Sequence, residues 1–264
     1  MPMWAYNISP LQLALIMVAT IEAVSLAGLF LTRRFILPHL RFHDGINDAI
    51  SGAVQTVGVF YGITVGLIAV GVWNTHSNAE DVVSKEAAAI AALYRDVSGY
   101  PQPTREKLQG DLKEYTRALI EQIWPAQQEG RVLDVGTQLM DNFQSTLYSH
   151  EPTSPGQTAL HGETLGAFNN LIGYRRLRID AVAGSLSGVM WVVIWVGAAI
   201  SIGVGYLYQI EDPRIHAMLV VLMAGFLGLV LFMIVINDRP FSGRNSIPPD
   251  SYRVILDHLI ELRR

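Results

Sequence analysis

The chain has 264 residues, half of them hydrophobic and only 16% charged, with a formal net charge of −4. Ordinary soluble domains carry ~25% charged residues, so the composition excludes both a disordered chain and a typical soluble one. It offers no clustered basic surface for nucleic acid. The lack of cysteine excludes disulfides, iron–sulfur clusters and Cys-ligated zinc.

The start, MPMWAYNISP, has no basic segment of the kind that precedes a cleaved signal peptide, so residues 11–31 read as a retained first span. Trp4 and Tyr6 are suited to the membrane interface before it, and Arg33 and Arg34 follow it. Glu22 sits near its middle. A carboxylate at that depth faces protein or water, either with a functional role or as a hydrogen-bonding group to a neighbouring helix. The link that follows carries His39 and His43 at helical spacing, with Asp44 and Asp48. It lacks the glutamate of a metalloprotease helix, and these residues read as interfacial polar groups with no metal.

Residues 49–73, AISGAVQTVGVFYGITVGLIAVGVW, are uncharged and contain five glycines. About 20 such residues cross the hydrocarbon core. Gly58, Gly62 and Gly66 recur every four residues, the small-residue stripe that lets helices approach closely in lipid. Thr56, Phe60, Thr64 and Leu67 fall on the opposite face and mix hydroxyls with a ring, as a pore-lining helix would.

Polar sequence then runs to residue 184, with four helical stretches and no strand-like alternation. The first, residues 78–97, carries Val83, Ile90 and Leu93 at the 3.6 period. The second starts at Thr104 and is expected to end at Pro125. The third covers about 131–148, and the fourth runs from about Thr158 into Arg175, Arg176 and Arg178. Asp81, Lys85 and Glu86 read as a solvated face, with Arg95 or Lys113 as ion-pair partners for Glu86. Residues 185–208 and 217–236 are the third and fourth spans, and the tail ends in a short amphipathic helix from about Asp250 with Val254, Ile255, Leu259 and Ile260 on one side. The expected fold is therefore all-α: spans one and two in residues 1–73, a helical extramembrane domain in 74–184, spans three and four in 185–236, and a tail in 237–264.

Four spans place both termini and the helical domain on one side. Lys85, Arg175, Arg176, Arg178, Arg239, Arg244 and Arg253 outnumber the Arg33, Arg34, Arg41 and Arg214 of the other side, so that side is expected to be cytoplasmic. No phosphate loop, dinucleotide fingerprint or HExxH motif occurs. Ser185 and Ser187 beside Gly184 and Gly188 read as small residues at a helix contact, and the seven histidines are scattered. No catalytic constellation and no cofactor site is expected.

Three stretches are similar to the bestrophin-like membrane proteins of unknown function, a bacterial and plant group with four spans. They are the glycine-rich second span ending in Trp73-Asn74, the run AEDVVSKEAAAIAALYRD from Ala79 to Asp96, and NDRPFSG from Asn237 to Gly243. More distantly the layout resembles true bestrophins, pentameric ion channels with cytoplasmic termini and a neck lined by the second span. That resemblance implies one of two registers. Matching Phe60-Tyr61 puts Gly52, Thr56 and Phe60 on the neck, whereas matching Trp73-Asn74 puts Gln55, Val59 and Ile63 there. The acidic run that clasps calcium in vertebrate bestrophins is missing, with only Asp238 and Asp250 nearby.

The function expected on these grounds is a homo-oligomeric passive channel for monovalent ions in a bacterial inner membrane, with a pentamer favoured. A non-conducting scaffold or sensor, whose helical domain binds a ligand or partner, is the alternative. A transporter is less favoured because neither an internal repeat nor a pair of broken helices is visible.

Overall fold

A computed structural model of the chain describes residues 8–40 and 45–261. Trp4, Tyr6, Arg41, His43 and Asp44 lie outside the described residues, as do the side chains of Leu259 and Ile260. The described residues contain helices and no strand. In chain order the helices are α1 (Pro10–Leu31), α2 (Ile46–Val97), α3 (Thr104–Ala118), α4 (Trp124–Gln128), α5 (Val135–Tyr148), α6 (Pro155–Val182), α7 (Gly188–Gly205), α8 (Pro213–Asn237) and α9 (Asp250–Ile255). The expected all-α class with four membrane-crossing helices stands: α1, α2, α7 and α8 are each long and apolar enough to cross a bilayer.

The helix starts follow local chemistry. Ser9 and Gln12 cap α1 reciprocally, with Pro10 in its first turn. Asp212 caps α8 ahead of Pro213, and Ser154 caps α6 ahead of Pro155. Ser187 accepts the Met190 backbone N–H at the start of α7. It is thus a helix cap.

Two expectations are corrected. The second span and the first soluble helix are one uninterrupted α2 of 52 residues, about 78 Å at 1.5 Å per residue. The change of composition at Trp73 alters what surrounds the helix, but no Gly or Pro follows to break it. Nor does Pro125 end the helix before it: a π-helical turn, Leu119–Ile123, intervenes, and α4 carries Pro125 in its first turn. A proline needs no amide partner there.

The chain forms two compact units, residues 1–75 with 185–238, and residues 76–184 with 239–264. In the first, Leu13, Met17, Val65, Ile194, Leu231 and Val235 form the core. Helices α1 and α8 meet along small residues: a Cβ on Gly228 would lie 3.1 Å from the Val18 Cα. The second is built around Leu93, Leu112, Phe143 and Leu171, and the tail from Arg239 onward belongs to it through Phe241, Ile247 and Tyr252.

Candidate functional site

Within the membrane unit α2 buries a single stripe. Ile50, Val65, Ala69 and Val72 are buried, with Val54, Val57, Tyr61 and Ile68 half-buried on the same side. The Tyr61 hydroxyl donates to the Ile194 carbonyl at 2.9 Å, and its ring lies over Gly197. The start of α2 is tied to the α7–α8 loop. Asn47 exchanges two hydrogen bonds with the Gln209 backbone, at 3.0 and 3.1 Å, and the Tyr208 hydroxyl donates to Ser51 at 3.0 Å. On α1's side the same loop is held by Arg33, which donates to the Ile210 carbonyl at 3.0 Å and meets His216 Nδ1 at 3.1 Å. His216 Nε2 faces the Gly205 carbonyl at 3.1 Å. Since only Nε2–H can donate to that carbonyl, Nδ1 is left to accept from Arg33.

All the residues expected to line a pore are exposed in the single chain: Gly52, Gln55, Thr56, Val59, Phe60, Ile63 and Thr64. Val59, Ile63 and Phe60 reach 59%, 58% and 70%. Thr56 and Thr64 return their hydroxyl protons to the Gly52 and Phe60 carbonyls, both at 2.8 Å. Neither therefore leaves an unsatisfied donor in hydrocarbon. Gly58, Gly62 and Gly66 have nothing within 4 Å of where a side chain would stand. They do not pack within the chain. Among the membrane unit's glycines that do receive a neighbour are Gly28 under Tyr206, Gly197 under Tyr61, and Gly225 and Gly228 against α1. A small-residue stripe permits close approach without choosing what approaches. Glu22 is half-buried at the α1–α8 contact, its carboxylate 2.7 Å from the position a Gly225 Cβ would take.

In the second unit five elements converge on the pair Glu86–Arg178, and the Glu86 side chain is fully buried. Arg178 Nε and Nη2 donate to its two oxygens at 2.6 and 3.2 Å, Tyr115 donates at 2.9 Å and Tyr252 at 3.0 Å. The third arm of Arg178 donates to Gln127 at 2.8 Å, and its guanidinium lies 5.9 Å from the Trp124 ring. Burial opposes the charge on Arg178, but the Glu86 carboxylate outweighs it and holds the guanidinium above its ordinary value. Burial and the Glu86 charge both push the Tyr115 and Tyr252 phenols up, keeping them neutral donors. The reading of Glu86 as a solvated residue paired with Arg95 or Lys113 is overturned, whereas its neighbours Asp81 and Lys85 do form an exposed pair. A buried carboxylate needs a full shell of donors, and only Arg178 with the two tyrosines supplies one.

Three scattered aromatic residues also come together here. Tyr100 bonds His161 Nδ1 at 2.8 Å and lies 4.8 Å from the His150 ring, with burial and His150 lowering the His161 pKa. Among the described residues no group of three or more His, Asp or Glu is arranged to hold a metal.

A family model described as a Bestrophin-like domain matches residues 19–252. The chain belongs to the bestrophin-like family. No curated protein matches it by sequence. Among solved structures it is similar to point variants of a bacterial bestrophin homologue from Klebsiella pneumoniae. One matches with a TM-score of 0.69 at 8% identity, covering 95% of this chain and 98% of that one. A second matches at 0.67 and 8%, covering 94% and 97%. At such identity the likeness establishes the fold.

The stretches that carry the bestrophin-like resemblance acquire concrete roles. In the run from Ala79 to Asp96 the buried stripe is Ala79, Val83, Ala87, Ile90 and Leu93, with Glu86 on the same side. In the tail stretch Asp238 accepts the Leu186 N–H at 2.7 Å, and Phe241 packs edge-on to Trp124 at 5.5 Å. Gly243 adopts a φ of 73°, a turn that favours glycine. Asp250 pairs with Arg253 at 3.1 Å. The Glu86–Arg178 pair had a sequence signal that composition alone hides: each residue is a charge on the apolar stripe of its helix. Arg178 falls seven residues after buried Leu171, and Phe168 and Thr164 precede it on the same side of α6.

Proposed function

We propose that the chain is the protomer of a closed ring, a pentamer by family likeness, that conducts monovalent ions passively through a neck lined by α2. The observation that carries this reading is the seam Gly52, Thr56, Val59 and Ile63. These residues lie half a turn from α2's buried stripe, at spacings of four, three and four that keep one face forward at 3.6 residues per turn. The seam draws from both registers implied by the bestrophin likeness, and Gln55 and Phe60 fall to either side of it. Gly58, Gly62 and Gly66 lie about a quarter turn to one flank, and Phe60 and Thr64 about a quarter turn to the other. In a head-to-tail ring those flanks meet, with the Phe60 ring of one copy placed over the Gly62 gap of the next. An apolar constriction of this kind can gate by dewetting. The balance of Lys and Arg supports a cytoplasmic position for the helical unit and both termini, and the bacterial likeness supports an inner membrane.

Purified protein in planar bilayers is expected to give currents, with conductance raised by Val59→Ala or Ile63→Ala and changed less by Phe60→Ala. Mass photometry of Gly62→Leu is expected to show the ring falling to protomers. Silent bilayers for the wild type and both neck variants overturn the channel; an intact ring in Gly62→Leu overturns the packing.

A further inference from the structure

The membrane unit contains a groove that the proposed channel does not use. It is bounded by α1, α7 and α8, is open along one side, and offers about 500 Å³. On α1 it extends from Leu13 to Gly28, a run of about 22 Å along the helix. Its walls are aliphatic and aromatic except for Thr20, Ser25 and Tyr206. The Ser25 hydroxyl is spent on the Ile21 carbonyl at 2.7 Å. At the Gly28 end the groove is lined by Tyr206, whose ring lies where a side chain on Gly28 would stand. Gly28 thus lets the ring lie flat against α1.

Those dimensions select the occupant. Spread over its length, the volume leaves a section of roughly 20 Å², whereas a helix about 10 Å across needs roughly 80 Å². A span of another copy is therefore too thick to sink into the groove and can only lie across its mouth. Water would meet almost no unpaired polar atom along the walls and has no reason to fill them. A single hydrocarbon chain matches both the section and the apolar lining. The surrounding medium supplies such chains, because the groove lies among helices that cross the bilayer. At the Gly28 end α1 gives way after Leu31 to a π-helical turn, Thr32–Ile36, that carries the exposed Arg34, six residues and roughly 9 Å beyond Gly28 at a helical rise. A phosphate at that level stands where the basic residues following the first span are placed.

We infer that the α1–α7–α8 groove is a phospholipid site, holding one acyl chain of a lipid from the leaflet on the Arg33–Arg34 side, with its phosphate near Arg34. The groove accounts for one retained lipid per protomer, independently of whether α2 lines a pore.

The test is lipid retention. The full chain is reconstituted in phosphatidylglycerol vesicles, extracted in mild detergent, exchanged through several detergent volumes, and its bound phospholipid counted by native mass spectrometry. Wild type is expected to keep about one phosphatidylglycerol per protomer. Thr20→Phe and Ala199→Phe fill the groove from opposite walls and are expected to lower retention about tenfold, near 1.4 kcal/mol. Leu222→Phe, exposed on α8 outside the groove, is expected to retain it. Wild type that emerges with no phospholipid, or with detergent alone, overturns the site whatever the variants do. Equal retention by wild type, both wall variants and Leu222→Phe overturns it as well. If one wall variant aggregates, the other reads the same groove from the facing helix.

Discussion

The two units solve opposite problems with the same kind of helix. The extramembrane unit buries a charged pair and gives every part of it a partner: Glu86 takes four donated hydrogen bonds, two from Arg178 and one each from Tyr115 and Tyr252. The membrane unit does the reverse and leaves large apolar groups outside, among them Val59, Phe60, Ile63 and Leu67 on one helix. In water such a surface would drive aggregation; in hydrocarbon it costs nothing, and helices there are held by close contact and shape. The first unit is thus specified by polar satisfaction and the second by glycines. Removing a donor should be the severest injury in one, and adding a methyl group the severest in the other.

The largest expected effect is on Glu86. Glu86→Ala strands a buried guanidinium and should cost about 3–5 kcal/mol, seen as loss of the extramembrane unit's unfolding transition or as its digestion by protease. Pairing it with Arg178→Met should recover much of that loss, because the charge left behind, more than the lost attraction, is what destabilises. Tyr252→Phe removes one hydrogen bond to a carboxylate and should cost about 1.5–3 kcal/mol, with the tail becoming protease-sensitive first. In the membrane unit Gly228→Val forces α1 from α8 and should cost about 1–3 kcal/mol, measured by thermal scanning in detergent. Gly62→Ala should leave the protomer's own stability unchanged, since nothing lies within 4 Å of that position. Equal losses from these two glycine changes would erase the distinction drawn here.

The smallest expected effect concerns pH. Burial and the neighbouring His150 hold His161 below its ordinary 6.5. The unfolded chain therefore takes up that proton at a higher pH than the folded one, so this residue's share of stability is present above about 6.5 and lost on acidification below it. Asp96 and Asp111 have the opposite sign. Their carboxyls are raised above 3.8, chiefly by burial, so the folded state binds protons more readily and gains as pH falls towards that range. The extramembrane unit should unfold at a lower temperature at pH 5.5 than at pH 7.5, and His161→Gln should narrow the gap.

Periodicity and composition were enough for the four spans and the helical character of the rest, because apolar length and spacing dictate those features; the family likeness rested instead on three particular stretches, the second span ending in Trp73-Asn74, Ala79 to Asp96 and Asn237 to Gly243. The small-residue stripe on α2 and the apolar stripe on α6 were equally legible. Which neighbour meets each stripe was not. Gly58, Gly62 and Gly66 look more like a contact surface than Gly225 and Gly228 do, yet only the latter pair receives a helix from the same chain. Sequence spacing fixes a face of a helix; tertiary structure decides what the face meets. Glu86 and Arg178 teach the same lesson at a separation of 92 residues. Each could be placed on the inward side of its helix from the sequence, but a buried charge is tolerable only beside its partner. Choosing that partner among nineteen Lys and Arg residues required the folded unit, where the two buried charges meet and Tyr115 and Tyr252 complete the shell of Glu86.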